Sequence, residues 1–340
     1  MSRLVLLIGD YMTYEIINND CLEALQLMDD ESIDCCITSP PYLGLRDYGH
    51  SAQVGQEGSM TKYLERMVII FREVKRVLKP QGTLWLNLGD SYNGSGGAGG
   101  DYNKGGMREG QPKYKGRNDP LLKRKDLMGI PHRVAFALQD DGWYLRQDIV
   151  WSKPNPMPEP VKDRCTKSHE YIFLLTKSPN YYYDYEVIKE EAKQNRWGGK
   201  KSMNISNSKV TDNSEGVSKG KMYAGLNRER DMMPSKRNKR SVWNVATKPY
   251  KGAHFAVFPP ELIEPCILAG CPEGGVVLDP FGGSGTTAGV AEYHNRDSII
   301  LELNADYIQL IDDRVVNVMN WLKNRDAKQN VFKVASYDWL

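Results

Sequence analysis

Nowhere in the sequence do 18 apolar residues run together, and it contains no CxxC pair and no GK[ST] triplet. The first absence leaves no candidate for a membrane-spanning helix. The run LVLLIG at residues 4–9 is too short for a signal-peptide core, and no small-residue cleavage site follows it. The six cysteines, at positions 21, 35, 36, 165, 266 and 271, have neither metal-ligand nor disulfide-framework spacing. Reduced, packed thiols and a cytoplasmic location are the expectation. The glycine-rich turn at 279–287 has neither GxGxxG spacing nor a GK[ST] triplet, so a dinucleotide or nucleoside-triphosphate phosphate site fits it poorly.

A strong excess of one charge is missing too, since the formal net charge over 340 residues is +2. The distribution is uneven, however. Between Glu186 and Trp243 there are 14 Lys/Arg against 7 Asp/Glu, a local +7 that leaves −5 on the rest of the chain. This window is rich in Asn, Ser, Gly and Lys. It reads either as a solvated insertion or as a surface for nucleic-acid phosphates.

What is present is an alternation of short apolar strands and helices. YEIIN (14–18), IDCCIT (33–38), TLWLNLGD (83–90), YLRQDIVW (144–151), EYIFLLTK (170–177), GVVLDP (275–280) and SIILELN (298–304) read as strands. Between them lie helical patterns. Residues 61–78 place Leu64, Met67, Val68, Phe71, Val74 and Leu78 on one face, and a last helix opens at Ala305. Asp20 followed by Glu23 has the form of a capping box for the helix CLEALQLM. The pattern predicts a doubly wound α/β sheet, with the chain divided into 12–185, a basic insertion at 186–242, and 243–325.

Ligands of such sheets sit beyond the C-terminal strand ends. Two strand ends are unusual here. One runs from a buried strand into SPPY (39–42), where Pro40 and Pro41 stop strand pairing and stiffen the loop. The other is DPFGGSGTT (279–287), a turn of small residues that lets backbone approach a ligand closely. Glu302 closes the following strand 23 residues after Asp279, about where Rossmann-type sites place an acid on a ribose. An acid at Asp279 repels phosphate and attracts an ammonium. A ligand with a ribose and an ammonium but no phosphate suits both, and S-adenosylmethionine is such a ligand.

TSPPY at 38–42, HFAVFPPELIEP at 254–265 and DPFGGSGTT at 279–287 together resemble the amino-group DNA methyltransferases of the permuted β type, in that family's motif order. The resemblance covers most of the chain. It implies a Rossmann-like, seven-stranded, circularly permuted sheet with an inserted target-recognition region. It also implies S-adenosylmethionine as methyl donor and a flipped base of double-stranded DNA as acceptor. By resemblance, the Ser39 side chain and Pro40 carbonyl accept from the target amine, Pro41 stiffens the loop and Tyr42 stacks on the base. The cofactor falls to Asp20, Phe255, Phe258, Asp279, Phe281, Gly283, Ser284, Gly285, Thr286, Glu302 and Asn304, Asp20 being equally the cap of its helix. The position of the basic block makes Lys200, Lys201, Lys236, Arg237, Lys239 and Arg240 candidate phosphate contacts. Ser39, where adenine enzymes more often carry Asp or Asn, favours N4 of cytosine as target, with N6 of adenine as the alternative.

The resemblance allows a homodimer and a separately encoded restriction endonuclease as partners. A glutamine methyltransferase or a DNA-binding module on the same fold fits less well. The former normally has its cofactor motif first and no basic insertion, and the latter does not call for Ser39, Asp279 and Glu302 together. Pro265–Cys266 has the form of a carbon-5 cytosine methyltransferase nucleophile, yet it lies in an apolar helical segment, so Cys266 is assigned to the core. His169 is assigned a structural role. The glycine-rich stretch 93–118 is too long for an ordinary connection and is expected to order on DNA, and Arg46 and Asp47 have no assigned role.

Overall fold

A computed structural model describes residues 2–7, 13–45, 50–94, 118–192, 236–248 and 258–337. The chain separates into two compact units, Met1–Asp184 with Arg240–Leu340, and Tyr185–Lys239. Lys200, Lys201, Phe255, Arg46, Asp47 and nearly all of the glycine-rich stretch lie outside the described residues.

The larger unit is built on β1 (Ser2–Leu7), β2 (Thr13–Asn18), β3 (Ile33–Thr38), β4 (Leu78–Leu88), β5 (Tyr144–Ser152) and β6 (His169–Thr176). The smaller unit has β7 (Glu190–Glu191) paired antiparallel with β8 (Lys236–Arg237), and Arg237 Nε donates to Glu190 Oε1 at 2.9 Å. β9 (Val242–Asn244), β10 (Val276–Asp279) and β11 (Asp297–Glu302) return to the larger unit. Among the described residues nine strands form one sheet in the order β1-β2-β11-β10-β3-β4-β6-β5-β9. The expected count of seven therefore falls short by two. β1 adds an antiparallel hairpin partner to β2, and β9 pairs parallel with β5.

The central five strands, β2-β11-β10-β3-β4, are parallel. Such strands are covered on both faces, which is why they read as continuous apolar runs. β10 and β11 come late in the chain yet lie between β2 and β3, so the C-terminal ends carrying Asn18, Glu302, Asp279, Thr38 and Leu88 share one edge.

The helices are α1 (Cys21–Gln26), α2 (Met60–Val77), α3 (Ile130–Asp140), α4 (Pro260–Gly270), α5 (Thr286–Tyr293) and α6 (Ala305–Tyr337). Ser59 caps α2, whose buried stripe is Met60, Tyr63, Met67, Ile70, Phe71, Val74 and Val77. Leu64 and Val68, expected on the core face, flank this stripe partly buried. The stripe turns because Tyr63 takes a core position, its hydroxyl hydrogen-bonded to the Pro41 carbonyl at 3.1 Å. Pro265 lies inside α4 and the adjacent Cys266 is fully buried. All six cysteines are free; five are buried, while Cys165 is exposed rather than packed. No helix among the described residues is long and apolar enough to cross a membrane.

Candidate active site

The SPPY loop leaves β3 beside β10, and the glycine turn leaves β10 towards α5. Asp279 joins them. Its Oδ1 accepts from Thr38 Oγ1 at 2.7 Å and from the Phe281 amide at 3.1 Å, and its Oδ2 accepts from Thr287 Oγ1 at 2.6 Å. Burial of the whole side chain raises its pKa to about 6, outweighing the three donors that favour the carboxylate.

The turn needs glycine for packing as well as conformation. A Cβ at Gly282 would stand 2.0 Å from Ile300 Cγ2, and one at Gly285 2.6 Å from Ile311 Cγ2. Gly285, at φ +83, is also the N-cap of α5. Gly283 donates its amide to Glu302 Oε2 at 2.9 Å, and the Asn304 amide donates to Oε1 at 2.7 Å. Burial raises the Glu302 pKa to about 7, the two amides opposing it.

Asp20 holds two positions at once. Its Oδ1 accepts from the Leu22 and Glu23 amides at 2.9 and 3.3 Å as the cap of α1, and its Oδ2 faces Arg66 at 3.5 Å.

These residues surround a cavity of about 700 Å³, within the usual range for a small-molecule or cofactor site. Asp20, Phe258, Phe281, Ser284 and Glu302 line one part of it, and Ser39, Pro40, Pro41 and Tyr42 another. Asp279, Gly283, Thr286 and Asn304 complete the expected wall, whereas Gly285 does not reach the cavity. Among the described residues nothing donates to the Pro40 carbonyl, while the Pro41 carbonyl is taken by Tyr63.

Tyr42 is fixed at both ends. A Cβ on Gly89 would come within 2.6 Å of its ring, and its hydroxyl donates to Glu170 Oε2 at 2.8 Å. Asn87 Oδ1 lies 3.3 Å from that hydroxyl, and Ser39 Oγ 3.4 Å. Glu170 in turn pairs with Lys153, whose ammonium lies over the Trp151 ring. Sequence reasoning missed Glu170, Asn87 and Lys153. The available signal was an acid opening the apolar strand β6, the mirror of Glu302 closing β11. Lys167 also lines the cavity, and burial depresses its pKa. His169 bonds to the Tyr171 hydroxyl at 3.2 Å and is not a cavity residue.

Of the candidate phosphate contacts, Lys236, Arg237 and Lys239 lie in the smaller unit and Arg240 in the larger. No cluster of metal-ligating side chains occurs among the described residues.

A sheet whose strand ends join an SPPY loop to a glycine turn through one buried acid is a specific arrangement, and a family profile described as DNA methylase matches residues 33–313. The chain belongs to the DNA methylase family. It is 46% identical over 309 residues to the type II methyltransferase M.SmaI of Serratia marcescens, covering 89% of this chain and 90% of that one. It is 45% identical to M.Cfr9I of Citrobacter freundii, covering 94% and 91%. The fold is shared with the PvuII DNA methyltransferase (cytosine-N4-specific), at a TM-score of 0.56, 19% identity and coverage of 92% and 94%. DNA methylases of this N4/N6 type are S-adenosylmethionine-dependent enzymes that act on DNA.

The donor set fits that cofactor. Each Glu302 oxygen accepts one amide and keeps a lone pair for a ribose hydroxyl. The half-buried Phe258 and Phe281 offer apolar surface, and the two acids suit a ligand bearing positive charge.

Proposed function

We propose that this DNA methylase transfers a methyl group to the exocyclic N4 amine of cytosine in double-stranded DNA, at a specific sequence and with the target base flipped out of the helix. The observation that carries the reading is the pairing of Ser39 Oγ with a Pro40 carbonyl that no donor among the described residues engages, in the wall of the cavity that also holds Glu302. The Ser39 hydroxyl agrees with cytosine rather than adenine by the family resemblance.

An exocyclic amine is a poor nucleophile because its lone pair is delocalised into the ring. When bound, S-adenosylmethionine would supply an electrophilic methyl on a sulfonium whose sulfur leaves as a neutral thioether, and the methylated nitrogen then gives up one proton to solvent. Ser39 Oγ and the Pro40 carbonyl accept from the two amine N–H groups, which favours a pyramidal nitrogen and aims its lone pair away from them. Tyr42 carries the base on its ring, held by Gly89 beneath it and by Glu170 at its hydroxyl. Glu302 accepts from the ribose, while Phe258 and Phe281 exclude water.

The basic residues around Lys236–Arg240, with Lys200 and Lys201, hold DNA phosphates. The reading places the enzyme in the cytoplasm, opposite a separately encoded restriction endonuclease of the same specificity. A homodimer is the assembly that sedimentation would test.

The test is methylation of an unmodified plasmid followed by single-molecule sequencing, with the modified nucleoside identified by mass spectrometry. N4-methylcytosine in one sequence context is expected. N6-methyladenine alone would overturn the base assignment, and absence of any DNA methylation would overturn the reading as a whole.

A further inference from the structure

Between β5 and β6 the chain reads KPNPMPEPVKDRCTKS, with proline at 154, 156, 158 and 160. Proline at every second position fixes φ and disfavours helix at the residues between, so this segment is stiff and extended without a hydrogen-bonded partner strand.

Its ends are braced. The Lys153 amide donates to the Ser168 carbonyl at 2.8 Å, and Asn155 exchanges two hydrogen bonds with the Thr247 backbone at 2.9 and 3.0 Å. Further along, Arg164 pairs with Glu159 at 2.6 Å and stacks 3.9 Å from the Tyr92 ring.

At the tip of the braced segment stands Met157. It lines the active-site cavity, yet 63% of it is exposed, which places it on the rim. Other large apolar side chains are also exposed, Leu27 and Leu121 among them, but Met157 is the one of these that stands on the rim of the active-site cavity. Lys153 and Arg164 on this loop are paired with Glu170 and Glu159, which leaves the exposed Lys162 as a cation near Met157 in the chain that suits a polyanion.

Rotating one base out of a duplex leaves a gap flanked by two unstacked neighbours, and an apolar wedge entering the gap recovers part of the lost stacking. We propose that Met157 is this wedge: it enters the DNA stack as the target base enters the cavity beside it. The inference rests on the base-flipping DNA methyltransferase reading above and adds the residue that holds the duplex open. Methionine suits the task, being unbranched and polarisable, so it adapts to whichever bases flank the gap.

The experiment compares single-turnover methylation of two duplexes containing the site identified by sequencing. In one the target base is normally paired; in the other it faces an abasic position, so that flipping costs little. Met157→Gly is expected to slow methylation of the paired duplex roughly tenfold or more, and to come within about threefold of wild type on the abasic-opposed duplex. Met157→Leu, which keeps an apolar tip, should restore most of the lost rate on paired DNA. Equal losses on both duplexes, or no loss on paired DNA, would overturn the wedge. Failure of the wild-type enzyme to methylate either duplex would instead count against the underlying function.

Discussion

Thr38 Oγ1 donates a 2.7 Å hydrogen bond to Asp279 Oδ1, joining residues 241 positions apart at the ends of two neighbouring parallel strands. Thr38 directly precedes Ser39 and Asp279 opens the glycine turn, so this one buried contact sets the SPPY loop against the glycine turn. Both side chains are essentially inaccessible to solvent.

Asp279 makes apo-protein stability depend on pH. Its folded pKa of about 6 lies above the ordinary carboxyl value of 3.8 because of burial. The protonated form therefore favours the folded state, and this contribution is complete below about pH 4 and lost as pH rises through 6. A rise of this size corresponds to about 3 kcal/mol. In urea denaturation, wild type should lose about that much relative to Asp279→Asn between pH 4 and pH 7.5. A flat difference would show that Asp279 titrates normally.

Ser39→Ala should lower the single-turnover methylation rate by roughly 10²–10³ at saturating cofactor, the usual effect of deleting one preorganised hydrogen-bond partner of the reacting group. Cofactor affinity should stay within about threefold, because the role proposed for Ser39 is towards the base and not the cofactor. An unchanged rate would mean that the amine is held by other atoms.

Glu302→Gln should weaken S-adenosylmethionine binding by roughly tenfold or more, since a charged acceptor for the ribose is replaced by a neutral amide. Burial raises the wild-type carboxyl to about 7, so affinity measured calorimetrically should rise as pH passes upward through 7. Glu302→Gln should flatten that rise. Persistence of the full pH dependence in the variant would assign it to another group.

Gly282→Ala should destabilise the protein by roughly 2 kcal/mol or more, because the new methyl would lie 2.0 Å from Ile300 Cγ2 on β11. The double variant Gly282→Ala, Ile300→Ala should recover part of the loss in thermal unfolding, the two positions being in contact. Strict additivity would place the strain elsewhere.

Much of the architecture is legible in the order of residues alone. Runs such as IDCCIT and GVVLDP are apolar on both faces because parallel strands are covered on both sides; the first coincides with β3, and the second overruns β10 by one residue at each end. Asp20 has the sequence context of a cap, and is one, through the Leu22 and Glu23 amides. The edge strands are not legible in this way. SRLVLL lacks the alternation that marks a half-buried strand, and VWN is too short to carry a period.

The sequence by itself determined the local chemistry: which strands end in prolines, which turn is built of small residues, and which acids close apolar runs. These are properties of a few consecutive residues, set by sterics and polarity. Only the tertiary structure decided which distant groups meet. That Tyr42 is pinned by Glu170 and Asn87, that Asp279 spends its oxygens on Thr38, Thr287 and the Phe281 amide, and that Met157 stands at the cavity rim all follow from strand order and register. A chain that visits β3 and β4 long before β10 and β11 carries no local mark that these strands will lie side by side.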